Sequence, residues 1–192
     1  NGWFLPMSEN VIANNANSDT SSDKYAVFGN PIEHSKSPVI HAAFATATGE
    51  NIDYQKQRVD DEGFVAAADL FFARGGKGLN ITVPFKQEAY RYAARLTPRA
   101  RRAGAVNTLS LQDDGTILGD TTDGIGMVRD IIENHGWQIK GKKVLVLGAG
   151  GAVRGVLEPL LDLLPQHVVI ANRTIDKALQ LSKGFADMGY LL

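Results

Sequence analysis

The sequence predicts an α/β protein, because segments typical of strands alternate with segments typical of helices along most of the chain. Lys143–Leu147 is an apolar run typical of a buried parallel strand, and a glycine-rich turn follows it directly. Segments 105–111 and 116–120 flank Asp113-Asp114-Gly115 and predict an antiparallel hairpin. We therefore expect a mixed, mainly parallel sheet in the N-terminal part and the beginning of a second, parallel sheet after it.

The N-terminal part begins with a strand at 25–28 and a helix that starts near residue 37. Ser37 is the predicted N-cap and Pro38 suits the first helical position, while Gly49 is predicted to end this helix. The other predicted elements of this part are strands at 52–59, 79–83, 105–111 and 116–120, and helices at 61–73, 86–95 and 98–103.

The C-terminal part is predicted to contain a helix at 124–135, a strand at 143–147, a helix at 152–164, a strand at 168–171 and a helix at 175–187. This order predicts two domains, at 24–122 and 123–192. Residues 8–23 are rich in Asn, Ser and Asp and carry only two aliphatic side chains, too few to offset the cost of ordering, and we expect a disordered leader over residues 1–23.

Composition excludes several function classes. The net charge is −1 without long runs of like charge, so we expect neither nucleic acid nor a membrane as a partner. The chain has no cysteine, which fits a cytoplasmic location and excludes thiolate chemistry.

Histidines and carboxylates lack metal-ligand spacing, so no metal is expected, and His41 is interpreted as a packing residue. The sequence leaves a monomer and a homodimer equally open.

The glycine turn predicts a dinucleotide site. Its residues follow a strand and open a helix, where backbone amides can approach a pyrophosphate: Gly148, Ala149, Gly150, Gly151 and Ala152. The next strand ends at Asn172-Arg173-Thr174, where an NAD site would usually place an acid. Because Arg173 can pair with a 2′-phosphate, we predict NADP. The glycine turn lies between only two predicted strands, so we expect an incomplete Rossmann domain.

The chain resembles the shikimate dehydrogenase family. The resemblance is carried, in the family's order, by the segments 29–38 (GNPIEHSKSP), 80–86 (NITVPFK), 103–108 (AGAVNT) and 121–124 (TTDG), together with the glycine turn and Asn172-Arg173-Thr174. It implies NADPH-dependent reduction of 3-dehydroshikimate to shikimate, and it implies a chain that stops partway through its cofactor domain. We therefore expect the 192-residue chain to turn over poorly or not at all.

The resemblance also implies roles for individual residues. Lys86 and Asp123 are implied as the catalytic pair, in which Lys86 exchanges the proton and Asp123 orients the substrate hydroxyl and Lys86, and both also contact substrate. Ser35 and Ser37 are implied to hold the substrate carboxylate, at a helix start that independently favours an anion. The remaining substrate-binding residues are expected to be Asn80, Thr82 and Asn107, whose uncharged donors and acceptors suit a ring with several hydroxyls.

Two positions depart from the family's pattern. Glu33 stands where Gly is usual and would oppose carboxylate binding if it pointed inward, and Thr121 replaces Asn. Two alternatives remain open at this point. One is a quinate/shikimate dehydrogenase that uses NAD, against which Arg173 argues, and the other is a substrate-binding remnant without turnover.

Overall fold

A computed structural model describes residues 22–191. Its first part is a six-stranded sheet in the order β2-β1-β3-β5-β6-β4. The strands are β1 (Asp23–Gly29), β2 (Ile52–Arg58), β3 (Gly76–Ile81), β4 (Arg95–Leu96), β5 (Thr108–Leu111) and β6 (Ile117–Asp120). The helices of this part are α1 (Ser37–Thr48), α2 (Phe64–Ala73), α3 (Lys86–Tyr92) and α4 (Pro98–Ala103).

The sheet is mixed and mainly parallel, which confirms the predicted class. β1 pairs in parallel with β2 and β3, and β4 pairs in parallel with β6. β5 is antiparallel to β3 and β6, and the β5–β6 connection is the predicted hairpin. Because β5 runs antiparallel to β3, the carboxyl end of β3 and the amino end of β5 lie side by side at the same end of the sheet.

The core of the first part is built on aromatic side chains. Phe28 of β1 lies edge-on to Phe64 of α2, and Phe64 stacks on Phe85 with 5.4 Å between ring centroids. All three rings are buried, and burial of a phenylalanine side chain contributes about 1.5–3 kcal/mol. Phe85 immediately precedes Lys86, so this aromatic cluster fixes where α3 begins.

The second part contains a parallel pair of strands, in register from Lys143↔His167 to Leu147↔Ala171. Its elements are α5 (Asp123–Arg129), a π-helical turn (Asp130–Asn134), β7 (Lys143–Leu147), α6 (Gly151–Leu161), β8 (His167–Ala171), α7 (Ile175–Gly184) and a 3-10 turn (Ala186–Met188). Leu157, Leu161 and Leu181 pack with Val168 and Phe185 into a second core.

Three expectations from the sequence need correction. Lys36 is the N-cap residue of α1 and makes no capping side-chain bond, whereas Ser37 is the first helical residue. β7 is parallel as predicted but not buried, because Leu145 and Leu147 are 62% and 76% exposed. The core of this part includes side chains of α6 and α7, and these leucines lie outside it. The expected leader lies largely outside the described residues, and its last residue, Asp23, belongs to β1.

The two parts meet where α5 crosses α6. A Cβ atom placed on Gly124 would lie 2.1 Å from the carbonyl oxygen of Gly155, so the two backbones touch. Beside this crossing, Arg102 of α4 contacts α6 and the chain after α7. Its guanidinium bonds to Asp187 at 2.5 Å and lies 5.2 Å from the centre of the Phe185 ring. The crossing therefore joins the end of the first sheet to the glycine turn.

Candidate functional site

The centre of the site is an ion pair between the first residues of two helices. Lys86 begins α3 and Asp123 begins α5, and Lys86 Nζ lies 2.5 Å from Asp123 Oδ2. The lysine side chain is 16% exposed and the aspartate side chain 38%. The pair is therefore shielded on one side and open to a ligand on the other. A charge-assisted bond of this kind is among the stronger hydrogen bonds in proteins.

Asn107 holds the second oxygen of Asp123. Its side-chain Nδ2 donates to Asp123 Oδ1 at 2.8 Å, and its Oδ1 accepts from the backbone amide of Thr122 at 3.0 Å. The backbone of Asn107 is itself fixed, because it accepts from Ile81 and donates to Asp120. Asn107 is buried between the ends of β3 and β6, so the geometry of the carboxylate is determined by the sheet.

Asn80 and Thr82 lie at the carboxyl end of β3. Asn80 Nδ2 donates to Thr108 Oγ1 at 3.4 Å, and Asn80 Oδ1 accepts from the Tyr54 hydroxyl at 2.6 Å. Thr82 does not join these bonds. It lines a cavity of about 190 Å³ beside Lys86.

Sequence reasoning missed Tyr54. Burial raises the pKa of its hydroxyl to about 12 against the opposing effect of a hydrogen bond with Ser37, so the hydroxyl is protonated at neutral pH. Tyr54 therefore connects the serine loop to Asn80. Its ring stacks on His41 with 4.0 Å between centroids, which agrees with the interpretation of His41 as a packing residue. A single tyrosine in a strand carries no sequence signal for such a role.

Ser35 and Ser37 lie together at the amino end of α1. The Ser35 hydroxyl donates to Ser37 Oγ at 3.2 Å and accepts from the Ser37 backbone amide at 3.3 Å. Ser35, rather than Ser37, therefore satisfies a free amide of the helix start. Through Tyr54, this loop is continuous with the polar residues around Asp123.

The two departures from the family's pattern are accommodated locally. Glu33 is exposed, and one carboxylate oxygen accepts from the backbone amide of Ile32 at 3.0 Å. Hydrogen bonds from backbone amides of its own loop lower the pKa of Glu33. Thr121 is buried, and its hydroxyl lies 2.6 Å from the point that a Cβ on Gly155 would occupy. Thr121 thus packs against α6 at the crossing.

Asp120 anchors the loop that carries Asp123. Its carboxylate accepts from the Thr97 hydroxyl, from Arg99 Nε and from the Thr121 amide, each at 2.7 Å, and it forms an ion pair with Arg99. Burial raises the pKa of Asp120, but these hydrogen bonds outweigh burial and hold it below its ordinary value.

The glycine turn has the predicted geometry. Gly148 has a φ of +114°, which only glycine adopts readily, and α6 begins at Gly151. A cavity of about 580 Å³ joins part of this turn to the end of β8, and its lining includes Ala149, Gly150, Asn172, Arg173 and Thr174. The remaining lining residues, Gln87, Arg154, Lys177 and Gln180, were not predicted. Every ionisable side chain in this lining is cationic.

Other glycine-turn residues face Lys86 instead. Gly151 and Ala152 line the smaller cavity with Lys86, and a Cβ on Gly151 would lie 3.4 Å from Lys86 Cβ. Gly148 lines neither cavity and serves the turn itself, donating to Ala171 at 2.7 Å. The sequence could have indicated Lys177 and Arg154, because each is a basic residue in the first turn of a helix that follows a predicted cofactor-binding segment.

Between residues 22 and 191, no helix has the length and apolarity needed to cross a bilayer. The same residues contain no cluster of three histidine, aspartate or glutamate side chains arranged to hold a metal ion.

Two family models match the chain. Residues 27–109 match the substrate binding domain of shikimate dehydrogenase, and residues 130–191 match the shikimate/quinate 5-dehydrogenase model. Among curated proteins, the chain is 65% identical over 168 residues to an NADP(+) shikimate dehydrogenase from Cellvibrio japonicus, covering 88% of this chain and 60% of that protein. The chain spans about 60% of the length of the curated relatives it matches.

The chain is also similar to solved structures. An Ael1 enzyme from Pseudomonas putida is 46% identical with a TM-score of 0.81, covering 88% of this chain and 62% of that one. A shikimate 5-dehydrogenase from Thermus thermophilus, solved with NADP(H) and shikimate, is 33% identical with a TM-score of 0.77, covering 85% and 61%.

Proposed function

Because the chain belongs to the shikimate dehydrogenase family, we propose that it supplies the substrate site and part of the cofactor site for reversible, NADPH-dependent reduction of 3-dehydroshikimate to shikimate. Residues 24–122 form the substrate domain and residues 123–192 the beginning of the NADP domain in this proposal. A cytoplasmic location is also part of the proposal.

The observation that carries the proposal is the Lys86–Asp123 pair beside the glycine turn. Reduction of a ketone needs a proton for the alkoxide oxygen that develops. Lys86 Nζ donates this proton in the proposed reaction and accepts it in the reverse direction. Asp123 orients the ammonium group through Oδ2, which lies 2.5 Å from Lys86 Nζ. Asn107 holds the other carboxylate oxygen, Oδ1, by donating a hydrogen bond to it.

The remaining polar residues bind and orient the substrate in this proposal. Ser35 and Ser37 take the carboxylate at the amino end of α1, where backbone amides and the helix dipole favour an anion. Asn80, Thr82 and Asn107 provide uncharged donors and acceptors for ring oxygens. Glu33 bonds an amide of its own loop, so the proposal does not require it to face the substrate carboxylate.

The residues present fit NADP. Gly150 has open space where a Cβ would lie, so a pyrophosphate can approach the amino end of α6. Arg173 and Lys177 are placed to pair with a 2′-phosphate, and no acidic side chain lines their cavity. When bound, NADPH supplies the hydride that the ketone carbon accepts. The chain's own part is to bind the phosphates and to hold the proton donor at Lys86.

Binding to this chain is the first test. We expect shikimate to shift the NMR resonances of Ser35, Asn80 and Asn107, and we expect NADP+ to bind more tightly than NAD+ in calorimetry. Absence of shikimate binding would refute the substrate assignment. A preference for quinate or for NAD+ would instead favour a quinate/shikimate dehydrogenase.

Turnover is the second test. The assay follows the loss of reduced-nicotinamide absorbance with 3-dehydroshikimate, using NADPH and NADH in parallel. Shikimate binding without turnover, in a chain extended to the length of the curated relatives, would identify a binding protein rather than a reductase.

A further inference from the structure

One backbone amide sets the direction of a chain of side-chain hydrogen bonds at the site. The amide of Thr122 can only donate, and it donates to Asn107 Oδ1 at 3.0 Å. This atom is therefore the acceptor of the Asn107 amide group, and the donor Nδ2 faces Asp123. The orientation of Asn107 follows from the backbone, without any assumption about the ligand.

Thr108 carries this orientation to the next residue. Its Oγ1 lies 2.9 Å from Asn107 Oδ1, which cannot donate, so the one hydroxyl hydrogen is used there. Toward Asn80, at 3.4 Å, the same oxygen can only accept. Asn80 must then present Nδ2 to Thr108, and its Oδ1 faces the Tyr54 hydroxyl at 2.6 Å.

The strand register explains why Thr108 can do this. Asn80 of β3 lies directly opposite Thr108 of β5, and directly opposed residues point to the same face of a sheet. Within residues 22–191, the second hydrogen of Asn80 Nδ2 has no acceptor. Asn80 therefore offers an N–H donor to a ligand, while its oxygen already accepts from the Tyr54 hydroxyl.

We propose that Thr108 is a positioning residue that sets the amide orientation of Asn80, so that Asn80 recognises an acceptor oxygen on the substrate ring. The part that concerns shikimate rests on the proposed function. The part that concerns the amide orientation does not, because it follows from hydrogen bonds within the chain.

The test compares Thr108→Val, which keeps the shape and β-branching but removes the hydroxyl, with Thr108→Ser, which keeps the hydroxyl. Ser110→Ala is the matched control, because it removes a hydroxyl from the same strand outside this hydrogen-bond chain. The direct readout is the side-chain amide resonances of Asn80 without ligand. In Thr108→Val we expect them to shift and to exchange faster with water, and in Thr108→Ser and Ser110→Ala to stay near wild-type.

The functional readout is shikimate affinity. Loss of one oriented neutral hydrogen bond predicts about threefold to tenfold weaker binding in Thr108→Val, with Thr108→Ser close to wild-type. In a form that turns over, KM for shikimate should rise while kcat changes less than about twofold, because the Lys86–Asp123 pair is left intact.

Unchanged Asn80 resonances in Thr108→Val would overturn the proposal, as would a Thr108→Ser variant as defective as Thr108→Val. If Thr108→Val does not fold by circular dichroism, Thr108→Ala takes its place with the same expectations. If the wild-type chain does not bind shikimate, the proposed function fails, and the Asn80 resonances alone decide the role of Thr108.

Discussion

Alanine at position 124 tests the crossing of α5 and α6 most directly. Its Cβ would lie 2.1 Å from the carbonyl oxygen of Gly155 and 2.9 Å from Val156 Cα, and both are backbone atoms that cannot rotate away. The helices must separate, at a cost of about 2–3 kcal/mol, which is the upper part of the range for overpacking because both contacts are with backbone atoms, while the better helix preference of alanine returns about 1 kcal/mol. We expect a net loss of about 1–2 kcal/mol.

Gly126 provides a matched control in the same helix. A Cβ there meets no atom within 4 Å, so Gly126→Ala should gain helix stability of up to about 1 kcal/mol. For a protein of this size, about 2–4 °C of melting temperature corresponds to each kcal/mol. Gly124→Ala should therefore melt about 2–8 °C lower than wild-type, and Gly126→Ala should melt up to about 4 °C higher.

The assay is thermal unfolding followed by far-ultraviolet circular dichroism on the three chains under identical conditions. Opposite signs for the two alanines are the specific expectation, because only Gly124 faces α6. Equal changes in melting temperature for the two variants, or a Gly124→Ala chain that melts at or above the wild-type temperature, would refute the backbone contact. Because Asp123 precedes Gly124, we also expect weaker shikimate binding in Gly124→Ala only.

Three further predictions concern charged side chains. In a form that turns over, Lys86→Met should reduce turnover about 10²-fold to 10⁴-fold while shikimate affinity in calorimetry changes little, and an active variant would remove Lys86 from proton transfer. Arg173→Ala should weaken NADP+ binding about tenfold or more and leave NAD+ binding nearly unchanged, so equal losses would contradict the 2′-phosphate contact. Asp120→Asn should destabilise the chain by about 1 kcal/mol at about pH 7 in urea unfolding, after allowance for solvent screening. Because the folded-state pKa of Asp120 is lowered, its contribution is present above its unfolded pKa of about 4 and is lost as pH falls through the folded value. The difference in unfolding free energy between Asp120→Asn and wild-type should therefore narrow as the pH falls below the unfolded pKa, and a constant difference would contradict the ion pair.

Local sequence signals predicted most of the elements but not their non-local pairing. The hairpin around Asp113-Asp114-Gly115 and the end of α1 at Gly49 depend on turn and capping chemistry, which is local, and both were predicted correctly. β4 has only two residues and exists through its pairing with β6, so no local pattern could reveal it. β3 begins at Gly76 rather than Leu79, because Gly76 pairs with β1 and Gly78 pairs with both β1 and β5, which compensates for the weak strand preference of glycine.

The residues of the candidate site also divide into those that the sequence indicated and those that depend on non-local contacts. The structure brings into direct contact Lys86, Asp123 and Asn107, which the family resemblance had grouped in one site. Tyr54 could not be found, because its role depends on the distance from β2 across β1 to Asn80. Burial of β7 was predicted wrongly, since an apolar run carries no information about what covers each face.

The open face of β7 has a practical consequence for experiments. Leu145 and Leu147 present adjacent apolar surface in the native state, and fluorescent dyes that detect unfolding bind exposed apolar surface of this kind. Thermal unfolding followed with such a dye would therefore begin from high fluorescence. The fluorescence would report dye bound to this face of β7 as well as loss of structure. Ligands with long alkyl groups would contact the same leucines. A weak affinity measured with such a compound would therefore not report binding at the polar cleft beside Lys86.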